Sequence, residues 1–464
     1  MEKERSEKRF KLILWGIVLA ALLVRILCAL PALKEGHDCL LRTDSISYLN
    51  PADALLKDHA YWTASGSGIP MTKRPPGCAL LLIAVFAVFG KNLTLAALLN
   101  TLASALTCYP AGLCGRLLGG RRAGYLAAGL LALNLTSLAH APLLLADTVL
   151  GLCCAWAVYY VLKSRREHSV GAFGAASLLL AAGAWIKPVN TPILIGAMPL
   201  LALLFFGFRK KTLYALGTVI LAFMLLMFPW MLRNYRCGAE FDMDSNRGEM
   251  VYHSGSAILG AVTGGDTGVI RNQLVQEIEP YLEQHASEYP DIRSRNAYRR
   301  KKYLALIRQY PGAFLRTHLP QWTMLLPDLP TFLENNRLTV TGRGTLDVMR
   351  KDGVYAALKH YLDGRLGLAI PVLPFVLITG LLYLGAGMLL IIWLYHWKKR
   401  WRMLILFGIF AFFYLFAGGP VVMPRYQIPA LPFLCAMAGT WYILLRRKTA
   451  NRHVRPAPAD HDEK

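Results

Sequence analysis

The chain has 464 residues, of which 55% are hydrophobic and 17% charged, with a mean hydropathy of +0.38. So little charge on so long a chain excludes a soluble globular protein, and several windows exceed the roughly 18 apolar residues that mark a membrane span. The formal charge of +23 sits in basic clusters between apolar segments, as the positive-inside rule requires, and no zinc-finger or RNA-binding signature accompanies it, so nucleic acid is not an expected partner.

Met1 to Lys11 is basic and leads into an apolar run, as a signal peptide would, but Arg25 interrupts the run and no small-x-small cleavage site follows. Phe10 to Leu33 therefore reads as a retained first span that starts in the cytoplasm, which puts the loop 34–76 outside. Within that loop, Pro51 to Lys57 reads as a short surface helix and Ser65-Gly-Ser-Gly68 as a flexible turn. Cys78 to Phe89 is apolar but only about a dozen residues long, which suits an interfacial or re-entrant helix rather than a span.

If that helix does not cross, Leu93 to Leu118 runs inward and delivers Arg116, Arg121 and Arg122 to the cytoplasm. The later apolar segments then alternate: 125–140 out, 143–162 in, 170–186 out, 191–208 in, 213–232 out, 367–394 in, 403–416 out and 428–445 in. This gives about ten spans by the window criterion, with four internal basic clusters and both termini on the cytoplasmic side. The expected organisation is an N-terminal membrane module (1–232), an extracytoplasmic segment (233–366), a C-terminal membrane module (367–448) and a polar, disordered cytoplasmic tail (449–464).

In the extracytoplasmic segment, Leu274, Ile278, Tyr281 and Leu282 recur at helical spacing within 272–285. The very basic helix 297–309 reads as a solvated or lipid-headgroup face. Ala313 to Leu326 is apolar, is broken by Pro320 and Pro327, and is expected to lie along the membrane surface. The nine cysteines are scattered, mostly in apolar runs such as Cys153-Cys154, which argues against a disulfide framework or a zinc site. The sequons Asn92-Leu-Thr94 and Asn134-Leu-Thr136 lie in or beside apolar stretches and read as chance matches.

The chemistry-bearing groups collect at one level, the outer membrane face: Asp44, Lys73, Arg74, Asp147, Lys187, Arg233 and Arg425. Charge at the edge of the bilayer is costly, which makes each a functional candidate. Each also has an ordinary reading. Asp44 and Asp147 could cap helices, Lys187 could snorkel at a helix stop, and Arg233 and Arg425 could be interface anchors. Together they suit a reaction on an anionic lipid. Lys73, Arg74, Lys187, Arg233 and Arg425 would hold a phosphate leaving group, while Asp44 or Asp147 would take the proton of an attacking hydroxyl or amine. Tyr48, one helical turn beyond Asp44, and His253 are the candidate substrate-binding side chains, although a lone loop histidine is usually just solvated. Gly264-Gly265 and Gly418-Gly419 fit no phosphate-loop pattern, so a soluble nucleotide sugar is not the expected donor. No motif specifies a cofactor, and the two acidic residues leave a divalent metal possible.

Asp44-Ser-x-x-Tyr48, Lys73-Arg-Pro-Pro-Gly77 and the apolar run ending Phe89-Gly90 resemble the front of the GT-C membrane glycosyltransferases. The dolichyl-phosphate-mannose–protein mannosyltransferase-like group and the aminoarabinose–lipid A transferases are the most similar. Arg121-Arg122-Ala-Gly124, Leu144-Leu-Ala-Asp147, Trp185-Ile-Lys-Pro188, Phe228-Pro-Trp-Met-Leu-Arg-Asn-Tyr235 and Pro424-Arg-Tyr426 continue the series in order. The resemblance implies an all-α polytopic GT-C-type bundle with interfacial helices in the first outer loop and one mainly helical outer domain. It implies a polyprenyl-phosphate-linked sugar donor, transfer with inversion outside the cytoplasm, and an envelope glycan, lipid or protein as acceptor. The acidic residue at the family's catalytic centre maps to Asp44. Asp147 stands where Glu is frequent, and Lys187 where Arg is frequent. The competing class is a lipid or glycan transporter or flippase, but there is no internal repeat and the charges sit at the rim rather than at mid-span. A scaffold that binds envelope lipids without chemistry is a third class, and the paired carboxylates speak against it.

Overall fold

The computed structural model describes residues 2–338, 345–362 and 364–453. Helices account for every regular element among the described residues, apart from one antiparallel bridge between Trp62 and Pro70 in the first polar loop. Six helices are long and apolar enough to cross a membrane, and three shorter apolar helices (Gly77–Phe89, Val170–Ile186 and Leu431–Arg446) accompany them.

All ten expected spans fall on helices, though not all as single ones. The segment 125–140 divides into Arg121–Ala132 and Leu135–His140, because Asn134 leaves helical geometry and accepts the Ser137 amide at 2.9 Å. Asn92 caps Leu93–Leu106 in the same way. Both sequon asparagines are therefore helix caps, and Asn134 is fully buried. All nine cysteines are free. The last helix, Leu431–His453, continues past the expected start of the tail, so 449–453 are helical, and the rest of that tail lies outside the described residues.

Helix α1 (Glu2–Glu35) is woven into the bundle by its one interior charge. The fully buried Arg25 donates to Ser104 Oγ (2.8 Å), Ser137 Oγ (3.0 Å) and the carbonyls of Ala132 (3.0 Å) and Leu131 (3.2 Å). Its donors are thus met by hydroxyls and by carbonyls at a helix end, the condition under which a buried polar group is tolerated. Small residues bring the neighbouring helices together, as is usual between membrane helices. A side chain at Gly124 would meet the Gly112 carbonyl at 2.6 Å.

The first polar loop carries helix α2 (Thr43–Lys57), and helix α3 (Gly77–Phe89) packs along it. The two run side by side in the same direction. Arg74, just before α3, pairs with Asp44 at the start of α2, and Lys91, just after α3, pairs with Asp53 farther along α2. Both ends of α3 are therefore held to one amphipathic helix, which carries Asp44, Asn50 and Asp53 on its polar positions.

Helix α4 (Ala146–Glu167) and helix α5 (Val170–Ile186) form one of the most extensive helix contacts. A side chain at Gly77 would meet the Trp185 carbonyl at 2.6 Å, so glycine lets the start of α3 press against the end of α5, next to Lys187.

In the large polar segment, helix α6 (Thr267–Gln284) buries Leu274, Ile278 and Leu282 against Val251 and Tyr252, as their spacing predicts. Helix α7 (Ile292–Gln309) is the basic helix. Farther on, Pro311–His318 is helical, and the chain after it docks on the bundle. Asp328 binds His140 at 2.7 Å, and Asn335 donates to the Ala139 carbonyl at 2.6 Å.

Candidate active site

Five charged groups from separate parts of the chain meet in one cavity of about 380 Å3, which Glu249 also lines. Asp44 comes from the first turn of α2, Asp147 from the first turn of α4, Lys187 from the residue that ends α5, and Arg425 from the 3-10 turn Pro424–Gln427. Arg74 enters from the proline-braced strap before α3. Its Nη2 donates to Asp44 Oδ1 at 2.9 Å and its Nε to Ser47 Oγ at 3.0 Å. Arg425 Nη2 donates to the other Asp44 oxygen at 2.5 Å. Lys187 Nζ donates to Asp147 Oδ1 at 2.7 Å, and Arg425 Nε lies 3.9 Å from Asp147 Oδ2. The charges therefore form a chain: Arg74, Asp44, Arg425, Asp147, Lys187.

Neither carboxylate is a helix cap. The N-cap positions are Arg42 and Leu145, and both carboxylates turn to cations instead. Burial raises the Asp44 carboxyl, but Arg425 and Arg74 outweigh it and hold it below the usual carboxylate range. The Asp147 side chain is only 4% exposed, against 32% for Asp44, so Asp44 is the carboxylate a substrate can reach. With both carboxylates engaged by cations, their surroundings do not suit a divalent ion held between them. Among the described residues no group of three or more His, Cys, Asp or Glu comes together.

Aromatic rings frame the cations. Arg74 lies 5.3 Å from the centre of the Tyr48 ring, and Lys187 lies 4.7 Å from that of Tyr426. Tyr48 also lines a second, apolar cavity of about 250 Å3 between α3, the helix Leu93–Leu106 and the start of α4, with Leu82, Val85, Leu99 and Leu145 among its walls. The polar and apolar cavities thus share a residue.

Two of the expected phosphate ligands sit elsewhere. Arg233 does not line the polar cavity. Its Nη1 donates to the Met71 carbonyl (2.6 Å) and its Nη2 to the Tyr61 carbonyl (3.0 Å), and it lies 4.8 Å from the Trp230 ring centre. It clamps the first polar loop to the bundle. Lys73 pairs with Glu249 and lines a neighbouring cleft instead. The sequence places both cations at or near the ends of apolar runs, but does not say which way their side chains turn. His253 does line the polar cavity, together with Asn246, Glu249 and Met250 from the same segment. Glu249 belongs to no motif, and no pattern in the sequence singles it out. Tyr426 lay within the Pro424-Arg-Tyr426 motif without an assigned role.

Residues 73–231 match the sequence profile of the dolichyl-phosphate-mannose-protein mannosyltransferase family. No curated protein matches the chain. Among solved structures it is similar to ArnT from Cupriavidus metallidurans in the apo state (13% identity, 94% of this chain, 79% of that one, TM-score 0.40). It is similar too to ArnT from the same organism bound to undecaprenyl phosphate (14%, 96% and 81%, TM-score 0.41). A third is AglB from Archaeoglobus fulgidus in complex with an inhibitory peptide and a dolichol-phosphate (15%, 96% and 52%, TM-score 0.45), of whose length this chain spans about half. The matched stretch 73–231 contains Lys73, Arg74, Asp147 and Lys187. That match, over 73–231, agrees with the resemblance read from the motif order.

Proposed function

We propose that the protein moves a sugar from a polyprenyl-phosphate donor to an acceptor on the extracytoplasmic side of the cell membrane, with both termini in the cytoplasm. The observation that carries this reading is the pair of cavities joined at Tyr48. An apolar groove beside a cation-lined pocket suits one ligand with a hydrocarbon chain and an anionic head. Arg425 adds to it: its guanidinium lines the polar cavity beside Asp44 and can offer charge-assisted hydrogen bonds to a phosphate oxygen.

In the proposed step, the acceptor oxygen or nitrogen attacks the anomeric carbon from the face opposite the phosphate. The bond from that carbon to the phosphate oxygen breaks, its electron pair leaves with the phosphate, and the configuration inverts. Asp44 accepts the proton of the attacking group. Arg74, Arg425 and Lys187 bear the charge that grows on the leaving phosphate. Asp147 acts as a positioning residue, keeping Lys187 and Arg425 aimed at the pocket.

The experiment is transfer of labelled sugar from polyprenyl-phosphate donors to membrane extract, with wild type and Asp44→Asn compared at equal abundance. Transfer that depends on Asp44 supports the reading. Movement of the intact lipid-linked sugar across the membrane, without cleavage, would favour a flippase.

A further inference from the structure

Beside the polar cavity lies a second polar cleft of about 460 Å3, between the strap 69–73 and helices α6 and α7. The two spaces share Glu249 and His253, so a molecule in the cleft abuts the proposed reaction centre. The basic helix α7, read from sequence as a solvated or headgroup face, turns Arg295, Asn296 and Arg299 into this cleft at helical spacing.

The cleft holds more positive charge than its own carboxylates answer. Lys73 is paired by Glu249. Arg299 is paired by Glu279 through two bonds, at 2.9 and 2.6 Å, and spends Nη1 on Asn296 Oδ1 at 2.9 Å. Glu279 also accepts the Tyr252 hydroxyl. Arg271 and Arg295 line the cleft and form no ion pair among the described residues. Arg295 uses Nε on the Tyr289 carbonyl at 3.1 Å, which leaves its Nη groups for a ligand. Burial and the Arg271 charge hold the His253 ring below the usual imidazole range, so it adds no cation at neutral pH. Two guanidinium groups with no ion pair in one cleft are matched to an oxyanion, which each can hold through paired hydrogen bonds.

We infer that the acceptor carries an oxyanion group, a carboxylate or a phosphate, held by Arg271 and Arg295 in this cleft while its nucleophile reaches past Glu249 and His253 to Asp44. This rests on the glycosyl-transfer reading, but binding tests it separately.

The test uses the full chain in lipid nanodiscs. Three oligosaccharides of equal length serve as probes: one uronic-acid-terminated, one phosphate-terminated and one neutral. Undecaprenyl phosphate binding is measured alongside. The expected result is that at least one anionic probe binds about tenfold or more tighter than the neutral one, as for a charge-assisted contact. The better of the two anionic probes identifies the group. The double variant Arg271→Gln/Arg295→Gln should lose that preference and keep its undecaprenyl phosphate affinity, while Arg271→Lys/Arg295→Lys should retain part of the preference and so control for folding. Equal or absent binding of all three probes to wild type would overturn the inference, as would a preference that survives the glutamine variant. If the anionic preference holds and undecaprenyl phosphate does not bind, the donor reading fails and the cleft assignment stands.

Discussion

The Asp44 carboxylate bridges Arg74 and Arg425, giving one oxygen to each, although the two arginines lie 30 and 381 positions away from it in sequence. The arrangement fixes the first polar loop against the C-terminal module at the point where the apolar and polar cavities meet. In the proposed step the two arginines already line the pocket on either side of Asp44, so a phosphate beside them would need little reorganisation of the protein.

Arg74→Gln and Arg425→Gln should each weaken undecaprenyl phosphate binding about tenfold or more, the value of one charge-assisted contact of roughly 1.5–3 kcal/mol. Lys73→Ala should leave it nearly unchanged, because Lys73 points to Glu249 in the adjoining cleft. Arg233→Ala should instead cost about 2 kcal/mol of stability through the lost loop clamp. Titration of each variant with the lipid, together with thermal unfolding, separates these outcomes. Equal loss of lipid affinity in all four would contradict this division.

Lys73 and Arg233 stand at or near the ends of apolar runs, as the other candidate charges do. Hydropathy and the placement of basic clusters make the spans legible, and a charge at the end of an apolar run marks its depth. Side-chain direction is set by tertiary neighbours. The Met71 and Tyr61 carbonyls that occupy Arg233 belong to an irregular loop, whose backbone no periodicity describes. Asp44, Asp147, Lys187 and Arg425 were legible because they stand at helix ends where burial demands partners. The cleft was not legible, since Arg271, Arg295 and Glu249 sit in polar helices where charge is ordinary.

Topology gives a second test. Helix α3 is expected to lie at the interface without crossing, since Arg74 and Lys91 at its two ends pair with one helix, α2. Single cysteines labelled in intact cells should then place position 121 inside and position 233 outside. Labelling of position 121 by an impermeant reagent from outside would invert the arrangement.

Asp147→Asn removes the partner of Lys187 while keeping size and hydrogen bonding. A positioning role predicts a lower kcat with the protein still inserted, and a smaller loss than that of Asp44→Asn. Asp147→Glu should recover part of the rate. A loss equal to or larger than that of Asp44→Asn would move the proton acceptor to Asp147.

Asp244, in the polar segment, gives a pH signature. Burial pushes its carboxyl up to about 6, against the hydrogen bond from Asn246. The folded state thus holds this proton more tightly than the unfolded chain, whose aspartates titrate near pH ~3.9. The associated stability is present below that unfolded value and is lost as pH rises through about 6. Asp244→Asn should remove this dependence, so the variant should gain melting temperature relative to wild type between pH 4 and 7. Parallel curves for the two proteins would contradict the assignment.

The most direct test compares sugar transfer by wild type and Asp44→Asn at equal membrane abundance. Asp44 is ionised at neutral pH but is a weak base, so positioning must supply much of the rate. A folded, normally inserted variant with turnover lowered by roughly 10²–10⁴-fold, the range for loss of a general base, is the predicted result. Near-normal turnover at equal abundance would contradict it and leave Asp44 as a brace between two arginines.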